Sequence, residues 1–308
     1  MYKRLRFDAI DQGLLNKASI RPNRKGLRRK PPRWMEPSAL ERQYNVQLQK
    51  LVDEFFEYVD TTMGAALPWA INEHNTQTMG LDSRMDGWAD TIQRAVQRIE
   101  LRSQDFTERA RQLALNIGIE TSNFNQQQLR RIMRATLGVD AFKSEPWLQG
   151  ELESWVAENV TLIKSIPGQA LTTIEGLAQR GVRSGASAAD IAKEIQARYG
   201  VTKRRARLIA RDQVGKLNGD LTQKRQRSLG IQYYTWETSR DERVRESHRA
   251  MQGKLCRWDD ATVYSDDGGK TWKKRSSIGG VQLHVGKDYQ CRCSGSPDLE
   301  RVFEQLGI

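Results

Sequence analysis

The sequence predicts a mainly α protein with a small α+β C-terminal module: long helices fill the N-terminal two thirds, and short strands and hairpins follow after residue 230. From Ser38 to about Ser228, apolar residues recur at spacings of three and four, the period of a helix with one buried face. At Ile231 the period changes to two, in "IQYYTWET", as in a strand buried on one side. From Gly253 to Pro297 the chain is rich in Gly, Ser and Asp, which favour turns between short strands.

The first helix opens at "SALE", where Ser38 and Glu41 form a capping box. Tyr44, Leu48, Leu51, Phe55, Val59 and Met63 line its inner face, and Pro68 is expected to end it. A second helix is predicted over about 85–117, with Trp88, Ile92, Val96, Ile99, Phe106, Leu113 and Ile117 facing inward. Shorter helices are expected over 126–137 and from Pro146 to Ile163. "KSIPGQ", residues 164–169, is the expected domain boundary, since proline and glycine together stop a helix. Beyond it, Ser187 with Asp190 opens a helix closing at Gly200, and Thr202 caps another that runs to about Ser228. The chain then divides into an extended arm (1–37), a helical platform (38–165), a C-terminal domain (166–300, its α+β part 230–297) and a tail (298–308).

After the strand, "SRDE" (Ser239 to Glu242) reads as a capping box opening a short helix with Val244, His248 and Met251 on one face and Gly253 at its end. "SDDGGKTW", residues 265–272, fits the Asp-box pattern S-x-D-x-G-x-T-W, in which the Asp closes a tight turn. It occurs once, after a long helical region, so it signals a single hairpin rather than a propeller.

Charge is concentrated at one end. The net charge is +12, and residues 1–33 hold eleven Lys and Arg against two Asp. The densest part places Arg21, Arg24, Lys25, Arg28, Arg29, Lys30 and Arg33 among prolines and glycine, with no acid between them. Such a segment has little apolar surface to bury and reads as an extended, polyproline-like arm. Its chemistry suits a nucleic-acid backbone or an acidic protein surface, or it serves only as a solubilising tail. A second basic face, Arg204, Arg207 and Arg211, is expected to be solvated. The N-terminus lacks the apolar stretch of a signal peptide, and no run of roughly 18 uncharged apolar residues suggests a membrane span, so a soluble protein made in the cytoplasm is expected.

The three cysteines all follow residue 255, too few for a disulfide framework. Two of them, with one of the three histidines, lie in "HVGKDYQCRCSGSP", residues 284–297. His248, His284, Cys291 and Cys293 make a candidate zinc set, because zinc takes four thiolate or imidazole ligands from separate segments; Cys256 is held in reserve. Two other readings stay open at this stage. His248 can be a core histidine bonded to a carboxylate with the cysteines as small buried side chains, or a cysteine can pair with His284 or His248 and Asp241 as a nucleophile. No nucleophile elbow, glycine-rich phosphate loop or paired-carboxylate spacing accompanies them, so the chain is read as a non-enzyme.

Four segments taken together, "ENVTLIKSIP", "RARLIARDQVGKLNGDLTQKRQRSLGI", "WETSRDERVRESHRAMQGKLCRWDD" and "HVGKDYQCRC", resemble the phage head-morphogenesis, or Mu F-like, family of minor capsid proteins. The matching positions are Arg211, Asp212, Gln213 and Asn218 on the long helix, Trp236 on the strand, and Asp241, Arg243, Arg245, His248 and Gly253 around the short helix. At the end they are His284, Gly286, Cys291, Arg292 and Cys293. The chain departs from the family in having Val285 where proline often follows the histidine, in Cys256 where an apolar residue is usual, and in the Asp-box hairpin.

The resemblance implies a low-copy structural component of a tailed bacteriophage head, associated with the portal vertex and packaged DNA. Its partners would be the portal protein and the major capsid protein or scaffold, with DNA reached through the arm. It implies a virion protein, in the capsid interior or at the portal vertex after assembly in host cytoplasm, with no membrane and no small-molecule substrate. An internal protein ejected with the genome, or a DNA-processing enzyme, are the alternatives.

Overall fold

In the computed structural model the described residues are 31–80, 87–137, 144–299 and 301. Four long helices come first: α1 (Ser38–Thr78), α2 (Trp88–Leu137), α3 (Leu148–Arg183) and α4 (Ala188–Ser228). They are followed by β1 (Tyr233–Glu237), the one-turn helix α5 (Glu246–Arg249), β2 (Leu255–Arg257), β3 (Asp260–Ser265), β4 (Lys273–Lys274), a 3-10 turn (Arg275–Ile278) and β5 (Ser294–Pro297). The mainly α class with a small C-terminal α+β module is as expected. Among the described residues, no helix is long and apolar enough to cross a membrane.

Helix ends are where the structure corrects the sequence reading. α1 continues ten residues past Pro68, and α3 runs unbroken through Pro167, so "KSIPGQ" does not stop a helix. An interior proline costs about 3 kcal/mol. The buried stripe continues on both sides of each, through Leu67 and Ala70 in α1 and through Ile166, Ala170 and Leu171 in α3. A buried Ile or Leu contributes about 1.5–3 kcal/mol and a buried Ala less, so Ile166 and Leu171 can carry α3 across Pro167. Past Pro68, α1 is held by Ala70, by the Thr91 hydroxyl donating to Glu73 (2.9 Å) and by His74 packed on Trp88. α4 likewise passes through Gly200, and Thr202 caps nothing: its hydroxyl donates to the Arg198 carbonyl within the same helix (2.9 Å). The two helices expected over 85–117 and 126–137 are one, α2; the start expected at Met85 lies outside the described residues. Ser187 does cap α4, its hydroxyl accepting from the Asp190 amide (3.2 Å) and donating to that carboxylate (2.6 Å).

The chain forms two compact units. One consists of residues 41–117 and 150–211, all helical in its described parts. Its core is built from the predicted stripe of α1, from Ile92, Val96, Ile99 and Leu113 of α2, from Trp155, Ile163 and Ile174 of α3, and from Ile191 and Ile195 of α4. Tyr44 of α1 donates to Asn159 of α3 (2.9 Å), so the two buried polar groups satisfy each other.

The other unit comprises Met1–Leu40, Gly118–Gln149 and Asp212–Ile308, and contains the sheet. Strand order is β4-β3-β2-β1-β5, with every neighbouring pair antiparallel. β1 alternates as its period-two pattern predicts: Tyr234 and Trp236 are buried between half-buried neighbours. They join Met251, Cys256, Trp258, Tyr264 and Val285 in a small apolar cluster. Trp258 donates to Gln226 of α4 (3.0 Å), and Gln226 donates to the Gly295 carbonyl of β5 (2.8 Å), which ties the sheet to that helix. The Asp-box closes the β3–β4 hairpin: Asp267 accepts from the Thr271 amide (3.0 Å) and hydroxyl (2.6 Å), and Trp272 stacks on Tyr233.

The second capping box does not form. α5 starts at Glu246 with Arg245 as its N-cap and no side-chain cap, and Arg240 has a left-handed backbone (φ 62°). Within that stretch the Asp241 carboxylate instead accepts from the Arg243 amide (3.1 Å) and from Arg292 (2.7 Å).

Candidate metal centre

The loop 284–293 is the part of the sheet-bearing unit where the rare residues and the motif residues meet. It lies on α4 at two glycines one turn apart. A Cβ on Gly219 would stand 2.6 Å from the Val285 carbonyl oxygen, and one on Gly215 would stand 3.0 Å from the Cys291 carbonyl oxygen. Gly286 takes a left-handed backbone (φ 79°) and fits against Gly219. Gln290 has φ 52°, uncommon for a residue with a Cβ, and its amide is held by the Asp212 carboxylate (2.7 Å).

Arginine and aspartate pairs brace the loop from the other side. Arg245 donates to the Tyr289 carbonyl (2.7 Å) and lies 3.2 Å from Asp288. Arg292 pairs with Asp241 through both guanidinium ends, and that contact, opposed by burial, holds the Asp241 carboxyl below its ordinary value. Asp212, Asp241, Arg245 and Arg292 therefore all help to fix the shape of this loop, Asp212 pairing also with Lys216 (2.7 Å). Asn218 accepts from Asn125 of α2 (2.9 Å), Gly253 (φ 73°) donates to the Trp236 carbonyl (2.8 Å), and Gln213 is buried. Arg211 falls in the other unit, 3.9 Å from Glu41.

The braced loop brings three metal-ligating side chains together. His248, Cys291 and Cys293 have donor atoms all within 4.8 Å of one another. His248 Nδ1 is 3.3 Å from Cys293 Sγ and 3.6 Å from Cys291 Sγ. Its other nitrogen, Nε2, is 2.8 Å from Asp288 Oδ2, and its ring meets Trp236 edge to face. His248 and Cys291 are buried, and Cys293 is partly so. The two thiols are electrically linked. The hydrogen bond between them, joined by His248 and resisted by burial, draws Cys291 well below the ordinary thiol range. Cys293 is pushed up by the same contact and by burial, because a second negative charge beside the first is opposed. For His248, burial opposes the charged form, but contact with Cys291 and Asp288 outweighs it and raises its value.

His284 is not part of this cluster. Its Nδ1 is 3.0 Å from the Tyr234 hydroxyl and its ring packs on Trp258, so the expected four-residue set becomes three. The reason is the turn at Gly286, after which the loop carries 287–293 back across α4. Burial, reinforced by Arg275, Lys287 and Arg227 and opposed by Asp260, lowers the His284 value to about 4. Cys256 stands apart in β2, buried, with its thiol pushed up to about 11 by burial. Of the arm, Arg21, Arg24, Lys25, Arg28, Arg29 and Lys30 lie outside the described residues, while Arg33 donates to the Thr238 carbonyl (3.1 Å).

Sequence reasoning missed four contributors. Asp288, the histidine's partner, lies three residues before Cys291 in the same stretch. Gly215 and Gly219 form a G-x-x-x-G pair on an amphipathic helix, a spacing that signals close backbone approach. Arg275 is fully buried and donates to the Val263, Val281 and Leu283 carbonyls and to the Tyr234 hydroxyl; nothing in its local sequence signals that.

Residues 172–296 match the family model for Phage Mu protein F like protein. The chain is 31% identical over 179 residues to an uncharacterized protein of Haemophilus influenzae (strain ATCC 51907 / DSM 11121 / KW20 / Rd), covering 57% of this chain and 36% of the relative. It thus spans about a third of that relative's length. No solved structure matches.

Proposed function

We propose, from the premise that residues 172–296 are a Phage Mu protein F like domain, that the chain is a head-morphogenesis protein of a tailed bacteriophage, a minor structural component of the virion. The observation that carries this reading is how the motif residues are used. Asp212, Asp241, Arg245 and Arg292 come from three separated segments, and each helps to hold the loop 284–293 in place. His248 and Cys291 at its centre are buried. A site committed to internal bracing suits a protein that works by holding other components together.

In this reading the helical unit docks on the portal ring or the shell, through the portal protein and the major capsid protein or scaffold. The protein is present in low copy at the portal vertex and faces the packaged DNA. The basic arm, with seven Lys and Arg from Arg21 to Arg33, engages DNA phosphates by releasing counterions, so its grip weakens as salt rises.

The test is made in the phage or prophage that encodes the chain. Deleting the gene is expected to give few or defective heads. Quantitative mass spectrometry of purified particles should find the protein at a small fraction of the major capsid protein. Normal infectious particles from the deletion, or particles lacking the protein, would overturn the proposal. Removing residues 1–33 separates the arm: reduced DNA retention with heads still formed is expected, and unchanged retention would remove the arm from the mechanism.

A further inference from the structure

We propose that His248, Cys291 and Cys293 bind one zinc ion through the imidazole Nδ1 and the two sulfurs, with Asp288 as the positioning carboxylate behind the histidine. The proposal is independent of the virion role and stands or falls by itself.

The spacing of the donors fits the ion. Bonds of about 2.05 Å to nitrogen and about 2.3 Å to sulfur, at tetrahedral angles, set nitrogen and sulfur ligands about 3.6 Å apart. The observed separations are 3.3 and 3.6 Å. The orientation of the ring fits as well. A carboxylate only accepts, so the 2.8 Å contact with Asp288 puts the ring hydrogen on Nε2 and leaves the Nδ1 lone pair facing the two sulfurs. Asp288 is itself held, accepting from the Tyr289 amide (2.8 Å) and lying 3.2 Å from Arg245. This carboxylate–histidine arrangement is how proteins orient an imidazole toward a metal.

A second observation points the same way. The Trp236 indole nitrogen is buried with no hydrogen-bond acceptor, and its ring lies edge to face on His248. Indole N–H can only donate, and a metal-bound thiolate keeps the negative charge that accepts such a donor. The Cys293 amide likewise faces Cys291 Sγ at 3.4 Å. Two thiolates and a neutral imidazole around a divalent zinc sum to zero, so the ion can be held in this interior with no charge left over. Sulfur and imidazole donors exclude magnesium, calcium and manganese as the preferred ion. The fourth position falls to water, since His284 is engaged with Tyr234. The ion would clamp residues 291–293 to α5 and so close a sheet whose apolar cluster holds few side chains.

Elemental analysis of the full chain, purified without a histidine tag and passed over a weak chelator, is expected to give one zinc per chain. X-ray absorption should show two sulfur and two nitrogen or oxygen neighbours. Cobalt substitution should give the intense visible bands of a tetrahedral thiolate site. Cys291→Ser, Cys293→Ser and His248→Ala should each lose the metal, while Cys256→Ser and His284→Gln retain it. Because loss of a ligand removes both the metal and the clamp, Asp288→Asn is the decisive variant: it should fold in excess zinc and release the ion to a competing chelator about 10- to 100-fold more readily than the parent. The proposal is overturned by a metal-free parent whose melting is unmoved by chelator, by one equivalent of another metal, by a Cys291–Cys293 disulfide in the native protein, or by equal loss of zinc in Cys256→Ser.

Discussion

Gly219 of α4 and Val285 of the 284–293 loop meet so closely that a single added carbon would lie 2.6 Å from the Val285 carbonyl oxygen. The neighbour is backbone, not the end of a flexible chain, so it has little freedom to withdraw. Helix and loop are therefore matched by the absence of a side chain, and everything built on the loop inherits that fit.

Gly219→Ala should consequently destabilise the protein although alanine is the better helix former. Overpacking costs about 1–3 kcal/mol, against about 1 kcal/mol gained in helix propensity. Gly64→Ala in α1 is the control, since nothing lies within 4 Å of the added carbon, and it should stabilise by about 0.5–1 kcal/mol. Thermal melting of the two variants should move in opposite directions. A raised melting temperature for Gly219→Ala would mean that the loop does not rest on α4 as described.

The Asp-box turn gives a local prediction. Asp267 accepts from Ser265, from the Thr271 amide and from the Thr271 hydroxyl, and these bonds hold its carboxyl below its ordinary value. Asp267→Ala should speed hydrogen exchange at the Thr271 amide while leaving the Trp236 amide, bonded to the Lys254 carbonyl, protected. Equal acceleration at both would show the hairpin to be part of the cooperative core.

Much of this was legible from residue order, and what was not has identifiable causes. The strand at Tyr233–Glu237 and the hairpin at the Asp-box followed from period and turn chemistry, which act over a few residues. The helix ends expected at Pro68, Pro167 and Gly200 do not form, because a proline or glycine carries a local cost while the contacts that hold the helix on either side are tertiary. The site was half legible. His248, Cys291 and Cys293 stood out by rarity, but only the Gly286 turn decides that His284 leaves the group, and only the fold brings Asp288 behind His248.

His284 also sets a pH dependence. Its folded value of about 4 lies below the ordinary 6.5, so between those limits the unfolded chain binds a proton that the folded chain refuses. Stability is full above pH 6.5 and falls as pH drops through that window toward 4. Burial is the first cause; Arg275, Lys287 and Arg227 add to it, and Asp260 opposes them. In His284→Gln, the loss of stability between pH 6.5 and 4 should be shallower than in the parent by denaturant titration. Parallel curves would mean that His284 takes its proton in the folded state.

Arg225 of α4 carries the last prediction. Its five N–H groups all find acceptors: two on the Glu145 carboxylate (2.6 and 2.8 Å), two on the carbonyl and hydroxyl of Ser122 (2.8 Å each), and one on Asn125 (2.9 Å). Both members of the ion pair are nearly inaccessible, with side chains 2% and 8% exposed. Breaking such a pair from one side leaves an uncompensated buried carboxylate, at about 3–5 kcal/mol, whereas removing both charges together costs much less. Arg225→Met should therefore be severely destabilised, and Arg225→Met with Glu145→Leu should recover much of the loss in urea unfolding. Lysine should not substitute, because one ammonium cannot span Glu145, Ser122 and Asn125 as the planar fork does. A double variant no more stable than Arg225→Met would show that the guanidinium acts through Ser122 and Asn125, tying α2 to α4, and that Glu145 is incidental to it.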